Sequence, residues 1–146
     1  MKPSVDDVLT EDHVALDALF RGIRSALGSE QGASEARSKF ERRLVRHMTW
    51  EEEVLFPALQ EADPRFPARK IDSLVIDHER IREKLGELGA GIAGRAWRDA
   101  AQAMDDLWVL LEGHNRDEEK GVYTDADRML SEEERRRLLE TWTSRI

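Results

Sequence analysis

Four histidines, His13, His47, His78 and His114, are the residues whose type and spacing could do chemistry in this sequence. Two are followed four residues later by a glutamate: His47 by Glu51 in HMTWE, and His114 by Glu118 in HNRDE. Residues four apart share a helix face, so each pair aims an imidazole and a carboxylate the same way. A lone histidine on an apolar stripe is usually a hydrogen-bonded core residue. Four histidines and two glutamates at one depth are different. Buried without a metal, they would leave two costly carboxylates and several unmet donors and acceptors. A metal centre resolves both problems.

The donor set narrows the metal. Four imidazoles and two carboxylates are too many ligands for one tetrahedral zinc. Calcium and magnesium prefer oxygen. Imidazole with carboxylate suits iron, and a carboxylate can bridge two ions. Two irons sharing Glu51 and Glu118 is the natural arithmetic, with positions left open for a small ligand. Manganese and zinc stay open, because metal choice also follows availability. A ferritin-like site needs E-x-x-H, but Thr10, Leu44, Val75 and Leu111 stand three residues before the histidines. The zinc-protease pattern H-E-x-x-H fails at Arg82. No general base stands out, so no catalytic residue and no turnover are assigned.

Five helical segments must position these groups. The first runs from about Val5 to Leu27, with Ser4 as N-cap and Asp7 at the capping-box position. GSEQGAS at 28–34 reads as a turn. The second segment runs from about Glu35 to Gln60, with Pro57 expected to kink or end it. The third runs from about Ala68 to Ile92, its end weakened by glycines. The fourth runs from near Trp97 to at least Glu119, with Gly121 loosening it. Ser131 and Glu134 cap a short fifth helix ending near Trp142. Each long helix carries one histidine on its apolar stripe. At about 1.5 Å per residue, all four lie roughly 20–25 Å from one end of an antiparallel up-down-up-down bundle. The expected fold is all-α: a single domain over 1–146, four long helices and a short fifth.

Composition agrees. The chain of 146 residues is 37% charged, with a net charge of −8 and no cysteine. The acidic balance argues against a nucleic-acid surface. The lack of thiols excludes disulfides, iron–sulfur ligation and a cysteine nucleophile. Apolar runs fall far short of the ~20 residues that span a bilayer, and the N-terminus lacks an apolar signal-peptide core. A cytoplasmic protein that binds neither membrane nor nucleic acid is expected.

The halves look duplicated, approximately 5–60 and 68–125. Asp12-His13 matches Asp77-His78, and LVRHMTWEEEVLFPA (44–58) matches LEGHNRDEEKGVYTD (111–125). Other residues carry weaker signals. Asp12 and Asp77 adjoin histidines, but adjacent side chains point apart, so a surface role is as good a reading. Asp17, four after His13, could accept a hydrogen bond or add a ligand. Tyr123 reads as a packed aromatic more than a partner of the centre. Gly113 permits close helix approach or is merely tolerated. Glu52, Glu53, Glu119 and Arg135–Arg137 read as solvated faces. The tryptophans read as packing residues, with Trp108 a candidate water shield.

At these residues the chain resembles the hemerythrin-like HHE domains, whose signature is H…H-x-x-x-E…H…H-x-x-x-E. The resemblance spans nearly the whole chain. It implies a four-helix bundle holding an oxo- or hydroxo-bridged non-haem di-iron centre, with His13, His47, His78 and His114 as ligands and Glu51 and Glu118 as bridges. The oxygen-carrying hemerythrins have a second histidine four residues from the first on the third helix, where this chain has Leu74 and Arg82. They carry H-x-x-x-x-D on the fourth, where this chain has Glu118 and Glu119. One histidine fewer means one more open position. The set looks more like bacterial members linked to nitric-oxide or oxidative stress, including iron-centre repair proteins. The expected function is binding or processing of O2, NO or peroxide. The alternatives are an iron- or oxygen-responsive sensor or adaptor, and iron delivery. The sequence specifies no protein partner.

Overall fold

A computed structural model describes residues 2–145. The order is α1 (Val5–Ala26), α2 (Glu30–Trp50), a five-residue π-helical turn (Glu51–Leu55), α3 (Phe56–Ala62), α4 (Ala68–Ala93), α5 (Trp97–Asp117), a second π turn (Glu118–Val122), α6 (Tyr123–Met129) and α7 (Glu132–Ser144). The long helices α1, α2, α4 and α5 form the expected bundle. Residues 68–129 repeat the element order of 5–62. No strand occurs among the described residues.

Local chemistry sets the helix ends. Ser4 accepts the Asp7 amide at 3.1 Å, but Asp7 does not complete a capping box. The carboxylate comes from α6 instead: Asp127 accepts the Val5 and Asp6 amides at 2.7 and 3.1 Å and the Ser4 hydroxyl at 2.9 Å. The expected turn over 28–34 shrinks to the α1–α2 corner. Gly28 takes a positive φ of 103°, which glycine tolerates. Ser29 then caps α2 by accepting the Gly32 amide, so α2 begins five residues earlier than expected. The glycines near the end of α4 do not break it. At Gly91 an added Cβ would sit 3.0 Å from the Ala100 backbone nitrogen, so this glycine lets α5 start close against α4. Ser131 and Glu134 form the expected capping box of α7.

The core is two apolar slabs with a polar layer between them. One slab holds Leu16, Phe20, Phe40, Leu44, Ile81, Leu85, Met104, Leu107 and Leu111. The other holds Leu9, Trp50, Leu55, Phe56, Leu59, Leu74, Val122, Tyr123 and Trp142. Each fully buried Leu or Phe stabilises by roughly 1.5–3 kcal/mol. The slabs therefore carry the bundle against the desolvation of the layer they enclose. That layer contains every histidine, both glutamates of the H-x-x-x-E pairs, and Asp12, all buried.

Candidate metal centre

The helices bring all six sequence-predicted residues together: His13 from α1, His47 from α2, His78 from α4, His114 from α5, and Glu51 and Glu118 from the π turns. They form two overlapping donor groups. Glu51, His78, His114 and Glu118 make one, and His13, His47 and Glu118 the other. Glu51 lies between the histidine pairs, with Oε1 3.2 Å from His78 Nε2 and Oε2 3.4 Å from His47 Nε2. Glu118 Oε1 stands 3.2 Å from His13 Nε2 and 3.3 Å from His114 Nε2.

Every outward ring nitrogen faces a carboxylate from another helix or turn. His47 Nδ1 lies 2.8 Å from Asp12, and His114 Nδ1 lies 3.1 Å from Asp77. His13 Nδ1 lies 2.8 Å from Glu119. His78 Nδ1 lies 3.4 Å from Glu52, which is drawn aside by Arg82 at 2.8 Å, and makes no hydrogen bond. Such carboxylates fix the tautomer with Nδ1–H outward and leave Nε2 as a ligand lone pair. Asp12 is itself held by Arg43 at 2.6 Å. Glu52 and Glu119 are thus not plain solvated faces. In each H-x-x-x-E-E run the first glutamate enters the centre and the second faces a histidine of the other half.

Tyr123 is more than a packed aromatic. Its hydroxyl donates to Glu51 Oε2 at 2.6 Å and lies 3.0 Å from Glu118 Oε1. It also sits 3.0 Å from His47 Nε2 and 3.1 Å from His13 Nε2. The π turn makes this reach. Residues five apart are about 140° apart on a regular helix, but the Tyr123 amide bonds back to the Glu118 carbonyl and the widened turn puts both side chains in the layer. The first half does the same with Phe56 and Glu51. Pro57 therefore ends no helix. It falls in the first turn after the widening, where an amide is dispensable. The second half widens with Gly121 and no proline, so proline is not the common cause. Such turns concentrate at functional sites.

The halves differ chemically as a result. Phe56 stacks on His78, with ring centroids 6.1 Å apart, and offers no hydrogen bond. On that side His78 Nε2, His114 Nε2, Glu51 Oε1 and Glu118 Oε2 are buried without a partner. On the other side one tyrosine proton faces four acceptors. With the Nδ1–H of His13, His47 and His114 turned outward, the interior is a cluster of lone pairs short of positive charge. Divalent cations fit this donor set.

Protons take part of that role in the metal-free chain. Burial opposes charge on His114, but Glu118 and Asp77 raise its pKa to about 10. His47 is also raised: burial opposes its charge, while Glu51 and Asp12 favour it. Burial opposes ionisation of Glu118 too, yet His114 holds its pKa well below the usual range. Burial and the charges of Glu118 and Glu51 keep Tyr123 protonated. The sign for stability follows. A raised histidine pKa contributes fully below the unfolded value of 6.5 and is lost as pH rises through the folded value near 10. The thermal midpoint of metal-free protein, followed by circular dichroism, is therefore expected to fall between pH 6.5 and 10. A flat profile over that window would contradict this.

The remaining sequence candidates fall outside the layer. Asp17 pairs with Arg21 at 3.1 Å and donates nothing to the centre. Gly113 has open space at its Cβ position, so no close approach requires it. Trp108 is 40% exposed and covers Phe20, with centroids 5.9 Å apart. From α7, Trp142 packs edge-on against His47 at 5.6 Å and against Trp50 at 5.3 Å.

No helix among the described residues is long and apolar enough to cross a membrane. No curated protein and no solved structure matches the chain. The hemerythrin HHE cation-binding domain matches residues 4–126, covering α1 to within α6 and stopping short of α7. The all-α bundle, the buried histidine–glutamate layer and this match agree: the chain belongs to the hemerythrin HHE cation-binding domain family.

Proposed function

We propose that this protein holds two iron ions and uses them to bind and reduce a small oxidant, O2, NO or peroxide, under oxidative or nitrosative stress. The observation that carries the reading is the lone-pair interior built around a single hydroxyl proton. His13, His47 and Glu118 would hold one ion, and Glu51, His78, His114 and Glu118 the other. When bound, two ferrous ions supply two electrons. The chain's own residues do the rest. Asp12, Asp77 and Glu119 orient the imidazoles, and the apolar slabs exclude water. Tyr123 holds a proton at its hydroxyl, 2.6 Å from Glu51. Reduction of peroxide to water, or of nitric oxide, takes up protons, and this hydroxyl is placed to give one.

The test is anaerobic mixing of reduced, iron-loaded protein with one equivalent of hydrogen peroxide or two of nitric oxide per chain. The native chain is expected to consume it. Tyr123→Phe is expected to keep its metal and react about 100-fold more slowly, the usual scale of a lost general acid. An unchanged rate would remove the proton-donor role. Consumption of neither would overturn the reading and leave iron delivery. One observation favours a sensor as second reading: Trp142 joins His47 to α7, so occupancy of that site could firm the docking of α7.

A further inference from the structure

The two donor groups differ in what already satisfies them. On the His13 side the donors have partners within the chain. The Tyr123 hydroxyl lies 3.0 Å from His47 Nε2, 3.1 Å from His13 Nε2 and 3.0 Å from Glu118 Oε1. It thus touches every residue of that group. Its proton goes to Glu51 Oε2 at 2.6 Å. Across the layer nothing plays this part. Phe56 follows its π turn as Tyr123 follows the other, and it carries no hydroxyl. His78 Nε2, His114 Nε2, Glu51 Oε1 and Glu118 Oε2 are buried there without a partner. They come from all the residues of the larger group.

A cation entering the His13 side must replace hydrogen bonds, whereas one entering the Phe56 side replaces none. Unpaired buried polar groups are costly, and the cation relieves that cost in full. Charge acts in the same direction. The Phe56 side offers two carboxylates, Glu51 and Glu118, and the His13 side offers Glu118 alone. Proton release does not separate the sides. Burial opposes charge on His114 and on His47, yet neighbouring carboxylates raise both, so either ion displaces one proton.

We infer that the two positions are unequal and fill in order. The position made by Glu51, His78, His114 and Glu118 takes a resident divalent transition-metal ion first. The position made by His13, His47 and Glu118 takes an exchangeable ion second, gated by the Tyr123 hydroxyl. The ordering rests on the two-ion reading above. The resident ion is expected to bind about 100-fold more tightly. Trp142 packs on His47, a ligand of the exchangeable ion only, so a change at Trp142 reports the second occupancy.

The test titrates zinc, which has no redox chemistry, into the metal-free full chain and follows it by nitrogen-15 NMR. Two dications repel each other whichever binds first, so the readout is which rings are ligated at each step. Each ring signal is assigned as the one lost in a single-histidine variant, and the Trp142 indole as the one lost in Trp142→Phe. The Nε2 signals of His78 and His114 are expected to complete their ligation shift over the first equivalent. Those of His13 and His47, with the Trp142 indole, are expected to follow over the second. His13→Ala is expected to keep the first step at native affinity and lose the second. Tyr123→Phe is expected to tighten the second step about tenfold, the scale of one lost competing hydrogen bond. Should Tyr123→Phe not fold, the order in the native chain and in His13→Ala decides. Simultaneous ligation of all four rings, or ligation of His13 and His47 first, overturns the ordering and leaves the redox reading standing. A second step unchanged in folded Tyr123→Phe overturns the gate. A single zinc at saturation, in a chain that loads two irons, overturns the ordering alone. A single ion of either metal overturns the two-ion reading and the ordering with it. Ordered filling in a chain that consumes no oxidant when iron-loaded sustains the ordering and overturns only the redox reading.

Discussion

Glu118→Gln is expected to abolish binding of both metal ions. Glu118 is the residue common to the two donor groups, and its Oε1 lies within 3.3 Å of both His13 and His114. The amide keeps the size of the side chain but removes its charge and replaces one lone-pair oxygen by a donor. His78 belongs to one group only. His78→Ala is therefore expected to lose one ion and keep the other, bound by His13, His47 and Glu118. Metal analysis after iron loading reads both: near zero for Glu118→Gln, about one per chain for His78→Ala, against about two for the native chain. Circular dichroism checks that the variants remain helical. Full metal content in Glu118→Gln would contradict the shared-carboxylate geometry.

Removing metal from the native chain is expected to lower its thermal midpoint by about 10 °C or more. A ligand that binds only the folded chain stabilises it by about 4 kcal/mol when present at 1,000 times its dissociation constant. For a domain of this size each kcal/mol shifts the midpoint by roughly 2–4 °C. The structure gives the direction independently. The nitrogens and oxygens on the Phe56 side have no hydrogen-bond partner within the chain, and a proton on His114 meets only part of that need. Buried groups left so cost about 1–3 kcal/mol each. Comparing thermal melts of metal-free and iron-loaded protein at one pH measures the shift. Identical midpoints would mean that the layer is satisfied by protons alone.

The histidine layer was legible because helical periodicity and the four-residue spacing of His47–Glu51 and His114–Glu118 need no tertiary knowledge. The N-terminus of α2 was not. The glycines of GSEQGAS read as breakers, whereas Ser29 caps a helix whose first turn tolerates Gly32. The carboxylates around the layer were legible only in part, for a related reason: Asp12 and Asp77 read equally as surface residues, and Glu52 and Glu119 as solvated faces. Asp12 points away from His13 on its own helix and serves His47 on the next. Glu119 crosses to His13, 106 residues away in sequence. Such pairings appear only once helices are placed side by side. Tyr123 was undervalued because a regular helix turns it away from Glu118, and no residue pattern announces the π turn. Gly121 hinted at loosening in one half, but Val54 stands at the matching position of the other.

Metal analysis combined with optical spectroscopy, on protein expressed in iron-rich medium, tests the central claim most directly. The account predicts about two irons per chain, with near-ultraviolet charge-transfer bands that shift on addition of azide. One zinc or no metal, in a colourless chain of unchanged stability, would contradict it.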